Sequence, residues 1–162
     1  MSAASPPAQD RGAGTRHASA VAFRAGADWA GVLILGPSGS GKSTLALELM
    51  AMGARLVADD RVALSRAGPQ LRAAAPPALR GLIEARGIGL LRADALPQAP
   101  IALAVDLART ETRRLPPARR IDLMGVAVPL ICATGAPGLA AALRQAALGG
   151  IEADAPQESG HG

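Results

Sequence analysis

The sequence predicts an α/β domain built around a phosphate-binding loop, and three consecutive features carry that reading. Gly31 to Leu35 is a continuously apolar run of strand length, Gly36 to Ser43 reads GPSGSGKS, and Ser43 to Met52 spaces Leu45, Leu49 and Met52 along one helical face. A strand apolar on both faces, a glycine-rich turn and an amphipathic helix form the context that a G-x-x-x-x-G-K-[ST] pattern needs. With 162 residues, 49% of them apolar, the chain has room for one domain with its own core. No internal repeat marks a second domain.

The remaining elements follow from periodicity and turn signals. Ala18 to Phe23 reads as a strand and Gly26 to Trp29 as the turn after it; Gly53 stands where a helix C-terminal glycine belongs. Leu56 to Ala58 is a short strand ending in Asp59 and Asp60. Val62 to Ser65 and Gln70 to Ala74 flank Gly68-Pro69 as a hairpin. Pro76-Pro77 breaks the chain before a strand at Leu82-Ile83-Glu84, followed by a glycine-bearing loop at Arg86 to Gly89. A proline-bounded connector, Asp94 to Pro100, leads to an apolar strand from Ile101 to Asp106. Arg109 to Arg120, RTETRRLPPARR, is too polar and proline-bound for a core element and reads as a mobile loop or lid. A last strand and helix run from Val126 to Leu148 with a turn around Thr134 to Gly138, and residues 1–16 and 151–162 read as flexible tails. The domain is thus expected over residues 17–150.

Composition excludes several classes. Of 17 basic residues 16 are arginine, and the one lysine is Lys42; 38 residues are alanine, so larger apolar side chains make up only about a quarter of the chain. One Phe, one Trp and no Tyr cannot supply the stacking platforms of a nucleic-acid reader, and a net charge of +4 is spread along the sequence. Leu123 to Leu143 carries no charge over 21 residues, but Pro129, Pro137 and three glycines interrupt it, which argues against a membrane span. The first sixteen residues lack the apolar run of a secretory signal. A single cysteine, Cys132, fits a reducing cytoplasm.

The loop supplies the first candidate site. Its glycines let successive N–H groups turn inward as a nest for phosphate oxygens at the positive end of the helix, Lys42 can reach the β- and γ-phosphates, and Ser43 offers its hydroxyl to Mg²⁺. ATP would lie along Gly36, Pro37, Ser38, Gly39, Ser40, Gly41, Lys42, Ser43 and Thr44. Asp59 and Asp60 bring carboxylates to the C-terminal edge of the sheet, where this loop also sits; one can face the site while its neighbour turns away, or the pair caps an Asp-Asp-Arg turn. Glu84 suits a second Mg²⁺ ligand or a salt bridge to Arg86. His17 stands at a strand edge, where a solvated side chain is the simpler reading. The five arginines of Arg109 to Arg120 can stabilise a transferring phosphoryl group or form a solvated loop.

Taken together, Arg16-His17 before a strand, the phosphate loop, Ala46-Leu-Glu-Leu, Gly53-Ala-Arg-Leu-Val-Ala-Asp-Asp60 and the Leu82 to Gly89 block resemble the HPr kinase/phosphorylase family in its catalytic domain. The resemblance implies a mixed sheet akin to that of phosphoenolpyruvate carboxykinase. It also implies ATP- and Mg²⁺-dependent phosphorylation of a serine on the phosphocarrier protein HPr, within phosphotransferase-system regulation. By it Lys42 holds the transferring phosphate, Ser43, Glu84 and Asp59 bind Mg²⁺, Asp60 takes the proton from the acceptor hydroxyl, His17 polarises the site, and Arg114 is the catalytic arginine. With sixteen residues before His17, the match is to a short form without the family's N-terminal domain; a homo-oligomer is among the implied assemblies. The family's P-V-R-P-G-R stretch corresponds here to Pro129 to Thr134 with no arginine, which favours kinase activity over phosphorolysis. Two rival readings stay open: a small-metabolite kinase using Asp59 or Asp60 to bind substrate, and a non-catalytic ATP-binding sensor.

Overall fold

The computed structural model describes residues 13–152 except 134 and 136. Eleven strands and two helices are seen among the described residues: β1 (Ala13–Arg16), β2 (Ser19–Ala25), β3 (Asp28–Leu35), α1 (Lys42–Ala51), β4 (Arg55–Ala58), β5 (Val62–Ala67), β6 (Gln70–Ala74), β7 (Leu82–Ala85), β8 (Gly89–Arg92), β9 (Ala99–Asp106), β10 (Arg120–Leu123), β11 (Val126–Cys132) and α2 (Leu139–Gly149). A mixed nine-stranded sheet runs β1-β5-β6-β9-β3-β2-β4, with β11 added to β9 and β10 to β11; β7 and β8 form a separate two-stranded sheet.

Strand direction decides where the chemistry sits. β3 runs parallel to β9, and β9 parallel to β11. β2 is antiparallel to both β3 and β4, so β4 points the same way as β3. The C-terminal ends of β3, β4, β9 and β11 therefore share one edge, and the glycine loop, the Asp59-Asp60 turn and the segment after Asp106 all leave from it. The Leu107 N–H donates to the Leu35 carbonyl at 2.9 Å and fastens that segment to the start of the loop.

Alternation along β3 builds two cores on opposite faces of the sheet. Val32 and Ile34 pack with Phe23, Leu45, Leu49, Leu103 and Leu143 beneath the helices. Leu33 and Leu35 pack with Leu64, Leu71, Val128 and Leu130 on the other face, where the sheet curls over itself. Ala18, Ala20, Ala22, Ala58, Ala73 and Ala104 fill much of this second core, so the alanine-rich composition is accommodated by close approach of strands. The free side of β4 is covered by the connector before β9, whose Leu96 N–H donates to the Leu56 carbonyl at 2.8 Å.

Three strands differ from the sequence reading. Residues 13–16, expected within a flexible tail, pair with β5 from Ala13↔Ser65 to Arg16↔Val62; AGTR has no apolar period, and its order comes from completing the β5 edge. β8 pairs with β7 although Leu90 is 68% exposed, because a two-stranded ribbon away from the main core lacks the burial pattern that marks a strand. β10 begins at Arg120, inside the run read as a loop, and pairs with β11. The uncharged stretch 123–143 resolves into parts of β10, β11 and α2, with Thr134 and Ala136 outside the described residues. No helix among the described residues is long and apolar enough to cross a membrane.

Leu49, fully buried between α1 and the sheet, and Ile88, 78% exposed on the β7–β8 ribbon, set a stability contrast. Leu49→Ala is expected to cost about 2–5 kcal/mol in chemical denaturation and Ile88→Ala under about 0.5 kcal/mol; similar costs at the two positions would contradict this core assignment.

Candidate active site

The loop backbone is set by glycine. Gly36 has φ 152° and a Cβ there would lie 2.5 Å from Ser40 Oγ; Gly41 has φ 97° and caps α1 with no side-chain hydrogen bond. The first N–H groups of α1 are thus left without a side-chain cap at the helix's positive end, the arrangement that receives anions. Lys42, 6% exposed, turns back so that Nζ donates to the carbonyls of Gly36 at 2.8 Å and Pro37 at 2.9 Å. Burial pushes this ammonium below its ordinary pKa, against the pull of Asp60 and Asp59, which favour the charged form.

The two aspartates divide sharply. Asp59 is 4% exposed. Its Oδ1 accepts from Ser19 Oγ at 2.6 Å and Ser43 Oγ at 2.7 Å, while Oδ2 accepts from the Glu84 backbone N–H at 3.0 Å. One carboxylate therefore joins the start of β2, the first turn of α1 and the middle of β7. Asp60 takes the left-handed backbone, φ 66°, which turns its side chain out of the strand path. Its Oδ1 meets His17 Nε2 at 3.0 Å, with the two side chains 62% and 48% exposed. An ionised carboxylate only accepts, so Nε2 carries the hydrogen of this bond, and Oδ2 of Asp60 stays open.

The structure thus brings together Lys42, Ser43, Asp59, Asp60 and His17. His17 is an ion-pair partner of Asp60 rather than the solvated side chain that its edge position suggests. Glu84 is linked to the cluster through its backbone, its carboxylate is exposed, and it makes no ion pair with Arg86 among the described residues. Arg114 is exposed in the segment after β9 and contacts none of these side chains. That segment is tied to itself: Arg119 Nε and Nη2 donate to Glu111 Oε1 at 3.1 and 2.8 Å, and this pairing holds the Glu111 carboxyl below its usual range. Ser19 is the site residue that the sequence reading missed. Its signal is a hydroxyl inside the apolar run Ala18 to Phe23, a position that buries the group and obliges it to find a partner.

No three His, Cys, Asp or Glu side chains among the described residues converge on one point. Ser43 Oγ beside the Asp59 carboxylate is a sparse hard-oxygen donor set, which suits Mg²⁺, an ion usually held through one or two carboxylates together with phosphates and water.

A strand, a glycine-rich nest and a helix, with acidic residues at the end of a neighbouring parallel strand, define an α/β domain of the phosphate-loop type. Residues 27–117 match the family model described as HPr Serine kinase C-terminal domain, and the chain belongs to that family. It is 40% identical over 113 residues to HPr kinase/phosphorylase of Cupriavidus necator, covering 62% of this chain and 35% of that protein. It is 56% identical over 62 residues to the Nitrosomonas europaea protein of the same name, covering 38% of this chain and 19% of the relative. The chain spans about a third of the length of the first of these relatives. The solved structure of the Hpr(Ser) kinase/phosphatase from Coxiella burnetii superposes with a TM-score of 0.69 at 27% identity, over 82% of this chain and 92% of that one.

Two outcomes check this geometry. Asp59→Ala strands two hydroxyls and an N–H and is expected to cost about 3 kcal/mol, against about 1 kcal/mol for Ser19→Ala, in urea denaturation; a neutral Asp59→Ala would contradict the hub role. The Glu111 carboxyl has a lowered folded-state pKa, so its contribution is present at neutral pH and lost as the pH falls below the ordinary carboxylate range. Hydrogen exchange of residues 107–119 should therefore accelerate below about pH 4, and Glu111→Gln should reproduce that acceleration at neutral pH; unchanged exchange in the variant would show that the pair does not hold the segment.

Proposed function

We propose that this domain is a kinase that transfers the γ-phosphate of ATP, with Mg²⁺, to a serine hydroxyl of an HPr-like phosphocarrier protein. The observation that supports it most is the placement of Lys42 and Ser43 in an N–H nest on the same sheet edge as the buried Asp59 and the exposed Asp60–His17 pair. Names of the relatives point the same way.

Each residue then has a task. The loop N–H groups from Gly36 to Ser43 bind phosphate oxygens, and Lys42 exchanges its two carbonyl partners for the transferring phosphoryl group, where its charge offsets the negative charge of the transition state. Ser43, Glu84 and Asp59 would hold Mg²⁺, which neutralises phosphate charge when bound. Asp60 accepts the acceptor hydroxyl's proton on Oδ2 while His17 fixes Oδ1 and so orients the base. Arg114 rides on a segment that leaves from the site edge and would reach the phosphoryl group only if that segment closes. The unit over residues 17–150, extended by β1, carries the reaction, and a free Cys132 with no disulfide among the described residues suits a cytoplasmic setting.

Incubation with labelled ATP, Mg²⁺ and the HPr of the same organism is expected to label HPr on serine. No label with intact ATP binding would replace the kinase by a nucleotide sensor. Asp60→Ala should keep ATP affinity while transfer falls about 100-fold or more, the scale of a lost general base; an unchanged rate moves the base elsewhere. Lys42→Arg should also fail, because a broad guanidinium does not fit a nest closed by two carbonyls within 3 Å of the ammonium.

A further inference from the structure

A cavity of about 430 Å³ lies between α1 and α2, beside the phosphate loop and opening from it. Its size falls in the range of small-molecule sites, about 300–1,000 Å³. Leu45, Leu107 and Leu139 give it apolar walls, and Ser40, Thr44 and Glu48 add polar groups. Ser40 and Thr44 belong to the loop region and to the cavity at once, so a molecule with its phosphates in the loop extends directly into this space.

Three observations give the cavity a chemistry. Glu48 lies one helical turn beyond Thr44, is exposed, and has no hydrogen bond or ion pair among the described residues, which leaves its carboxylate as a free acceptor. α2 enters through Gly138 at φ 70° with no side-chain cap, so the N–H groups of its first turn are free donors at the cavity wall. Ser40 Oγ is buried with no hydrogen-bond partner. Apolar walls with an acceptor and donors complement a flat heterocycle that carries an amino group beside a ring nitrogen.

We propose that this cavity holds the purine nucleoside of the triphosphate, with Glu48 accepting a hydrogen bond from it; the inference rests on nucleotide binding at Gly36 to Ser43. Phosphates on one side of Thr44 and base on the other fix the direction in which the nucleotide lies, with its γ-phosphate at the Lys42, Asp59 and Asp60 end. Apolar burial supplies affinity and Glu48 supplies orientation.

Calorimetric titration of ATP and of inorganic tripolyphosphate, each with Mg²⁺, separates the two layers. Ala141 is exposed at the cavity wall in the first turn of α2, so Ala141→Trp fills the space without disturbing the core. ATP affinity should fall about tenfold or more in Ala141→Trp, and about fivefold in Glu48→Ala, the worth of one lost hydrogen bond. Tripolyphosphate affinity should change less than about twofold in either variant. ATP affinity equal to wild type in both variants would place the nucleoside elsewhere and leave nucleotide binding intact. Wild-type protein that binds neither ligand would overturn the nucleotide reading and this inference with it.

Discussion

The site depends on one buried carboxylate. Asp59 stands at the end of β4, surrounded by the apolar ends of neighbouring strands, and its two oxygens are satisfied by groups from three different elements. A buried ion without such partners would cost several kcal/mol, so the partners are obligatory and their positions are fixed with it. Ser19 sets β2 against β4, Ser43 sets the first turn of α1, and the Glu84 N–H sets β7. The nest at Gly36 to Ser43 is thereby assembled against an acidic strand end before any ligand arrives, which is the preorganisation that electrostatic catalysis needs.

Composition and site explain one another at Lys42. In a chain that carries arginine at every other basic position, the loop keeps an ammonium: a compact charge on a flexible stem can be buried at 6% exposure and held by two carbonyls. Asp60 is the counterpart at the exposed end of the same turn. Adjacent residues thus take opposite environments, one carboxylate structural and buried, the other open to solvent with a histidine at its side. The left-handed backbone at Asp60 is the local device that produces the split.

Much of this was legible in the sequence where a residue's neighbours in the chain are also its neighbours in space. Gly31 to Met52 reads directly, because the strand, the loop and the helix are consecutive and each carries its own period. The hairpin at Gly68-Pro69 and the final strand and helix follow from the same local signals. What stayed hidden was decided by pairing across the fold: β1 exists because β5 has an edge to fill, and β8 because β7 does. The different fates of Asp59 and Asp60 hinge on a single φ angle, and Ser19 acquires its meaning only from a partner 40 residues away. Arg114 illustrates the opposite limit, since a polar, proline-bound segment has no period by which to place a side chain, and the structure leaves it apart from the cluster.

The central claim is that the preassembled edge receives phosphates at the loop while Asp59 keeps its framework intact. A crystal structure with Mg²⁺ and a non-hydrolysable ATP analogue tests it most directly. The account predicts phosphate oxygens on the loop N–H groups, Lys42 Nζ moved from the carbonyls of Gly36 and Pro37 to a phosphate oxygen, and Asp59 still bonded to Ser19 and the Glu84 amide. Nucleotide bound away from the loop, with Lys42 still on its two carbonyls, would contradict it.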